Sequence, residues 1–359
     1  MKPGQSLRQS EQVLREADQI SDVAAPEDGH DLVGHGQVYA RLMAQFEAGR
    51  LAGGILLYGP RGIGKATLAF NLVRNILASY GDEPIGRIGE QIANGAHPNV
   101  RVLRKGLRES GKGFASEIVA APARKIIHEF HQTRGRAGKR FCIVDAVDDC
   151  NKSAANALLK ILEEPPADSH FILVSHAPGL LLPTIRSRCQ AHMLKILPED
   201  QLQQIVGNPD IFSAKAPQND IDAALKLAGG RPRRALEALK LAGNKQIAAL
   251  MIWLASPETG TSETILEIAE GLAGVKNAGA MKFARQMLTD WIYNETRAAA
   301  YAKPLIKMRL ASANQLWDKA NTLFFQTDTY NLDASQTMVT MFDAITKHAR
   351  QIHTIAIMD

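Results

Sequence analysis

The chain has 359 residues, a formal charge of +5, 45% hydrophobic and 22% charged residues, and only 28 glycines and 16 prolines. These are ordinary globular values, and they exclude a disordered chain, a collagen and a polar repeat. The length exceeds what one core holds, so two or three domains are expected, while three cysteines without close spacing exclude a disulfide scaffold or an all-cysteine zinc site and fit a reducing compartment.

The N-terminal stretch is polar and lacks the apolar centre of a secretory signal. Residues 1–30 read as a tail with at most one short helix, closed by Pro26, Asp28 and Gly29. From 31 to 196, short apolar runs alternate with helical patterns, as an α/β sheet requires. Gly54 to Tyr58 is one such run, followed at once by a glycine loop. Residues 81–116, rich in glycine and charge, read as an irregular insertion. Phe141 to Val144 is a second run, ending in Asp145, and His170 to Val174 is a third, ending in Ser175. Continuous apolar runs of this length suit strands buried on both faces of a parallel sheet, whose ligands gather at the carboxyl ends of the strands.

The pattern changes near residue 197. No convincing strand follows, and Pro198, Pro209 and Pro217 divide the next stretch into short helices. Beyond about 246 the helices lengthen. Ala284, Met287, Leu288, Trp291 and Ile292 lie at helical spacing, as do Met338, Met341, Phe342 and Ile345. These stripes fit either a bundle core, which needs them in any case, or a subunit interface. The longest clear apolar run, Ile247 to Ala255, is too short for a bilayer, which needs about 20 residues. A soluble, cytoplasmic chain without membrane contact is expected. A charge of +5 permits contact with nucleic acid but does not argue for it.

Gly59-Pro-Arg-Gly-Ile-Gly-Lys-Ala-Thr67 follows an expected strand and opens an expected helix, the context of a phosphate-binding P-loop. Gly59, Gly62 and Gly64 let backbone N–H groups turn inward, and Lys65 would meet phosphate oxygens at the positive end of a helix. The pattern fails at Ala66, where a hydroxyl normally binds Mg²⁺. Thr67 does not simply replace it, because one residue turns a helical side chain by about 100°. Phe141 to Asp145 resembles a Walker B strand. The residue after its aspartate is Ala146, not the glutamate that positions an attacking water, and Asp148 and Asp149 are expected to point elsewhere. Two positioning elements of phosphoryl transfer are therefore missing.

Asn151-Lys-Ser-Ala-Ala-Asn-Ala-Leu-Leu-Lys-Ile-Leu-Glu-Glu-Pro-Pro166 and Leu182-Pro-Thr-Ile-Arg-Ser-Arg-Cys189 resemble the clamp-loader branch of the AAA+ ATPases. His97-Pro-Asn-Val and Ser175-His-Ala-Pro-Gly resemble its non-hydrolysing type of subunit. The resemblance is carried by residues 31–197 and is mainly architectural after about 246. It implies a RecA-like AAA+ domain with a parallel sheet over 31–196, a small helical lid over 197–245 and an all-α collar for oligomerisation over 246–359. It implies that Arg188, placed on an exposed turn, is an arginine finger acting on ATP held by a neighbouring subunit. Ser175 then resembles a sensor-1 residue and Arg233, in Gly230-Arg-Pro-Arg-Arg-Ala-Leu236, a sensor-2 arginine.

The implied function is a non-hydrolysing stator in the clamp loader of the replicative DNA polymerase III holoenzyme. Its implied partners are gamma or tau and delta subunits and, through the complex, a sliding clamp and primed DNA. The degenerate P-loop leaves binding of ATP or ADP open. Many relatives hold zinc through four cysteines after the P-loop helix, but residues 71–100 here contain none, so no zinc or other metal is expected. An ATP-hydrolysing motor subunit of the same complex, against which Ala66 and Ala146 speak, and an independent P-loop NTPase or kinase, which as a kinase needs an intact metal site and an acceptor pocket, are the competing readings. The basic stretch Arg134 to Arg140 reads as a contact for a DNA backbone or as a solvated loop.

Overall fold

The computed structural model describes residues 19–28, 31–108, 113–132, 136–213, 216–273, 278–302 and 306–358. They form two compact units, Met1–Leu239 and Lys240–Asp359.

The first unit contains a five-stranded parallel sheet: β1 Gly54–Tyr58, β2 Val100–Leu103, β3 Arg140–Asp145, β4 Ser169–Ser175 and β5 Gln190–Met193. The spatial order is β2-β3-β4-β1-β5, so the strand feeding the P-loop lies between β4 and an edge. Register sets the two faces. Val102, Ile143, Ile172 and Ile55 stand in one row across four strands. That row meets α1 Gly36–Glu47, α2 Lys65–Ala78 and α3 Ile85–Ala93 through Leu42, Leu68, Phe70 and Ile88. The next row, Leu103, Val144, Leu173 and Leu56, packs on the other face. There it meets α4 Ala120–His131, α5 Lys152–Glu163 and α6 Pro183–Arg188. Burial on both faces is why these strands read as unbroken apolar runs. Each fully buried Leu, Ile or Phe contributes about 1.5–3 kcal/mol of transfer free energy.

Two strands and a helix depart from the sequence expectation. Residues 81–116 are not an irregular insertion throughout, because they hold α3 and β2. Strand β2 is short, and Arg101 interrupts its apolar pattern while pairing with Glu129 at 2.6 Å. Strand β5 is an edge of four residues with only His192 buried, so it carries little apolar signal. No further strand follows Met193 among the described residues. Nor is 19–28 a free tail. Ala24 donates to the Ile211 carbonyl, Val23 bridges Phe212, and Glu27 is buried against Arg74 and Arg104.

After β5 come α7 Glu199–Gly207, α8 Gln218–Ala228 and α9 Pro232–Lys240. Gly229 ends α8 in the left-handed conformation at φ 54°, the usual role of glycine at a helix C-terminus.

The second unit is helical: α10 Lys245–Ala255, α11 Ser262–Leu272, α12 Ala278–Tyr301, α13 Lys307–Tyr330 and α14 Ala334–Met358. Asn244 caps α10 by accepting from Gln246 and Ile247 N–H groups. Ala284, Met287, Leu288 and Ile292 are buried, as are Met338, Met341, Phe342 and Ile345, so both stripes face the interior of this unit; Trp291 is half-buried with its edge to His348. A polar cluster joins three helices. Arg309 holds Glu295 through two bonds of 2.7 and 3.0 Å, and His348 Nε2 stands 3.5 Å from the same carboxylate. Burial opposes ionisation of Glu295, but the hydrogen bonds from His348 and Arg309 outweigh it and hold the carboxyl down at about 2. No described helix is long and apolar enough to cross a membrane.

Candidate nucleotide site and arginine finger

The P-loop leaves β1 at Tyr58 and enters α2 at Lys65. Gly59, Gly62 and Gly64 all have positive φ, at 149°, 79° and 94°, a region that L side chains rarely occupy. Two of them also permit a close approach. A Cβ at Gly59 would collide with the Leu194 carbonyl oxygen, and one at Gly62 would lie 2.6 Å from Cβ of Arg233. The Gly62 carbonyl accepts from the Arg233 N–H at 3.1 Å. The start of α9 is thus seated directly on the loop.

Lys65 is 3% exposed, and its ammonium donates to the Gly59 and Pro60 carbonyls at 2.7 and 2.6 Å. Burial lowers its pKa to about 8 against the opposing pull of Asp148 and Asp145. A buried cation whose hydrogen bonds go to neutral carbonyls gains from an anionic ligand. Lys65, Gly62, Gly64 and Thr67 line a cavity of about 220 Å³. The lining also holds the basic Arg61, Arg104 and Lys105, the acidic Asp31, Asp145 and Asp149, and the apolar Ile20, Val23, Leu197, Ile205 and Leu236. A nucleotide, with a charged polyphosphate and an apolar base, fits this mixed lining. Residues 19–28 supply part of the lining through Ile20, Val23, Ala24, Ala25 and Pro26, a contribution that reading them as a tail did not anticipate.

The metal half of the site does not fit in the same way. Ala66 offers no hydroxyl. Asp145 ends β3 and lines the cavity, but the following Ala146 is 3% exposed and carries no base. Asp148 does not line the cavity. It turns back to the end of β4, where it accepts from Ser175 Oγ at 2.8 Å, the His176 N–H at 2.6 Å and the Ala177 N–H at 3.1 Å. Asp149 does line the cavity, paired with Lys105 at 2.7 Å. Ser175, in register beside Tyr58, therefore spends its hydroxyl on Asp148. Among the described residues, no three His, Cys, Asp or Glu side chains converge as a metal site.

Arg233 lines the cavity and pairs with Glu237 at 2.8 Å. Its neighbours in the arginine cluster are not solvated: Arg234 is 7% exposed, and burial lowers its pKa to about 10. The three cysteines are likewise no nucleophiles, since burial raises Cys142 and Cys150 to about 12 and Cys189 to about 11.

Arg188 is the last residue of α6 rather than part of a turn beyond it. It does not line the cavity of its own chain. Its side chain is 33% exposed, donates to the Thr184 carbonyl at 3.1 Å and pairs with Glu163 at 2.7 Å. The described part of the basic stretch before β3 is turned to internal partners. Arg136 pairs with Glu83 at 3.4 Å, Lys139 with Asp168 at 2.8 Å, and Arg140 is buried against Phe130; Arg134 lies outside the described residues. A different basic concavity, unsignalled by any run in the sequence, joins α4 and α5. It collects Arg124, His128, His131 and Lys160.

Residues 34–198 match the family model described as DNA polymerase III, delta subunit. The chain is 38% identical over 139 residues to the DNA polymerase III subunit delta' of Pseudomonas aeruginosa, covering 37% of this chain and 40% of that one. It is 31% identical over 202 residues to the DNA polymerase III subunit delta' of Escherichia coli, covering 55% and 58%. It is also 28% identical over 214 residues to the DNA polymerase III subunit gamma/tau of Mycobacterium tuberculosis, covering 58% and 36%. The chain thus spans about two fifths to three fifths of the delta' relatives it matches. The P-loop, the parallel sheet and the Ser-Arg-Cys signature all lie inside the segment that is similar to the DNA polymerase III delta subunit family.

Proposed function

We propose that this chain is the non-hydrolysing stator of the clamp loader of a replicative DNA polymerase III holoenzyme. In this reading it presents Arg188 to ATP bound by an adjacent gamma or tau subunit. A delta subunit, a sliding clamp and primed DNA are its further partners within the complex, which works in the cytoplasm. One observation carries the reading. Arg188 is partly exposed and stands outside the cavity of its own chain, while that cavity lacks a metal hydroxyl and a base. An arginine finger stabilises charge that develops on transferring phosphoryl oxygens, an effect worth about 10³–10⁵ in rate. In this reading a finger that does not line its own cavity does this for another subunit.

The cavity of this chain plays a different part. Its P-loop and Lys65 suit the phosphates of ATP or ADP, and its apolar lining residues suit the base. Such a nucleotide would supply charge to satisfy Lys65, and this chain's residues bind and orient it without activating a water. The groove of Arg124, His128, His131 and Lys160 supports contact with a DNA backbone, which needs positive charge rather than base readout. The test is hydrolysis in the reconstituted complex. Arg188→Ala is expected to lower clamp- and DNA-stimulated ATP hydrolysis at least tenfold, and the isolated chain is expected to turn over ATP far below about 1 s⁻¹. Unchanged hydrolysis in the variant complex, or robust turnover by the isolated chain, would overturn the proposal.

A further inference from the structure

Three elements converge at Arg188: the start of β1, the end of α5 and the end of α6. The convergence depends on Gly54. A Cβ there would lie 2.9 Å from the Arg188 carbonyl oxygen, 3.1 Å from Cys189 Sγ and 3.2 Å from Leu162 Cδ2. Cys189 fills the space beside Leu162 and packs on the same core as Ile185 and Phe171. The backbone that carries Arg188 is therefore fixed from both sides. Its side chain still has four torsions, and a long flexible arm is a poor electrostatic device unless its head is oriented.

Two contacts orient it. One guanidinium nitrogen, Nη1, donates to the Thr184 carbonyl one turn earlier on α6, at 3.1 Å. The other, Nη2, meets Glu163 Oε1 at 2.7 Å. Glu163 is the last residue of α5, a helix whose Leu158, Ile161 and Leu162 are buried in the sheet core. Its carboxylate therefore approaches from a second, independently packed element. Both backbones are anchored, while the Glu163 side chain is half-exposed. Neither contact uses the guanidinium Nε, and 33% of the side chain remains open.

We propose that Glu163 is the positioning residue for the Arg188 guanidinium, holding it in the orientation that a neighbouring subunit's phosphates require. This rests on the finger reading above. Glu163 touches no phosphate in this scheme; it acts only through Arg188.

The test uses the reconstituted complex, with hydrolysis measured against ATP concentration. Glu163→Ala is expected to lower kcat about tenfold and leave KM for ATP unchanged, since a misplaced group can cost up to about 10² in rate without altering binding. Glu163→Gln keeps the length and an acceptor oxygen, and is expected to recover most of the loss. Glu164→Ala, one residue along and exposed, is expected to match the unaltered complex. Arg188→Ala run in parallel separates the two ideas. A loss in Arg188→Ala with normal hydrolysis in Glu163→Ala would overturn the positioning role and leave the finger intact. Normal hydrolysis in Arg188→Ala would overturn both. A loss in Glu163→Ala that glutamine does not relieve, that Glu164→Ala shares, or that accompanies failed assembly on gel filtration would also overturn the positioning role. So would a gain in hydrolysis, which would make the carboxylate a restraint on the finger.

Discussion

Asp148 is the acidic residue that a hydrolytic reading of this site would be drawn to, and the geometry gives it a structural task instead. It accepts three hydrogen bonds at the end of β4, two of them from consecutive backbone N–H groups. Asp148→Ala removes all three acceptor contacts. Ser175 Oγ can rotate toward another partner, but the His176 and Ala177 N–H groups are fixed by the chain. A hydrogen bond to a charged group contributes about 1.5–3 kcal/mol, and an orphaned buried donor costs about 1–3 kcal/mol. The contacts are part-buried, so water recovers some of the loss, and about 3 kcal/mol is the expected destabilisation. For a unit of this size that lowers the melting temperature by about 6–12 °C. Asp148→Asn keeps one acceptor oxygen but sets an NH₂ group against a donor, so it should fall between the two. The assay is thermal unfolding followed by circular dichroism, with urea midpoints as a second measure. A loss below about 0.5 kcal/mol in Asp148→Ala would refute the structural role and reopen Asp148 as a candidate base.

Further outcomes follow from other groups. Lys65 titrates at about 8 in the folded chain, and its charged form is the one that attracts phosphate. Affinity for a fluorescent ADP analogue should therefore be highest below pH 7 and fall as pH rises through 8. Lys65→Met should weaken binding and abolish that pH step; retention of the step would show that another group causes it. Because Ala66 offers no hydroxyl and Asp149 is paired with Lys105, the same titration with EDTA in place of Mg²⁺ should change affinity less than threefold. In the second unit, Glu295 is held at about 2 against an ordinary value of 4.5. A depressed carboxyl stabilises the fold fully above its unfolded pKa and loses that contribution as pH falls toward the folded one. After allowance for solvent screening this amounts to about 1–2 kcal/mol. The second unit should thus lose stability between pH 4.5 and 2, and Glu295→Gln should flatten that slope in urea melts; an unchanged slope would remove Glu295 as its source.

The sequence by itself determined the strands that are buried on both faces. In β1, β3 and β4 every interior position but His170 is apolar, and the chemistry of the molecule sits at their carboxyl ends, in the P-loop, Asp145 and Ser175. It also determined the losses at Ala66 and Ala146, because a missing hydroxyl or carboxylate is a fact of composition that no fold restores. The helical stripes of the second unit were legible for the same reason, since the 3.6-residue period places those side chains together before any tertiary contact forms. Strand β2, edge strand β5 and residues 19–28 were not legible. Each is short or half-exposed, and each takes its structure from a neighbour: β2 from β3, β5 from β1, and 19–28 from the loop around Phe212. What only the tertiary structure decided was direction. Asp148 faces β4, Ser175 faces Asp148, Lys105 meets Asp149, and Arg188 is held by Glu163 away from its own cavity. A motif states which groups are present. Which partner each group faces is set by long-range packing between elements that are distant in sequence, and local sequence carries no record of it.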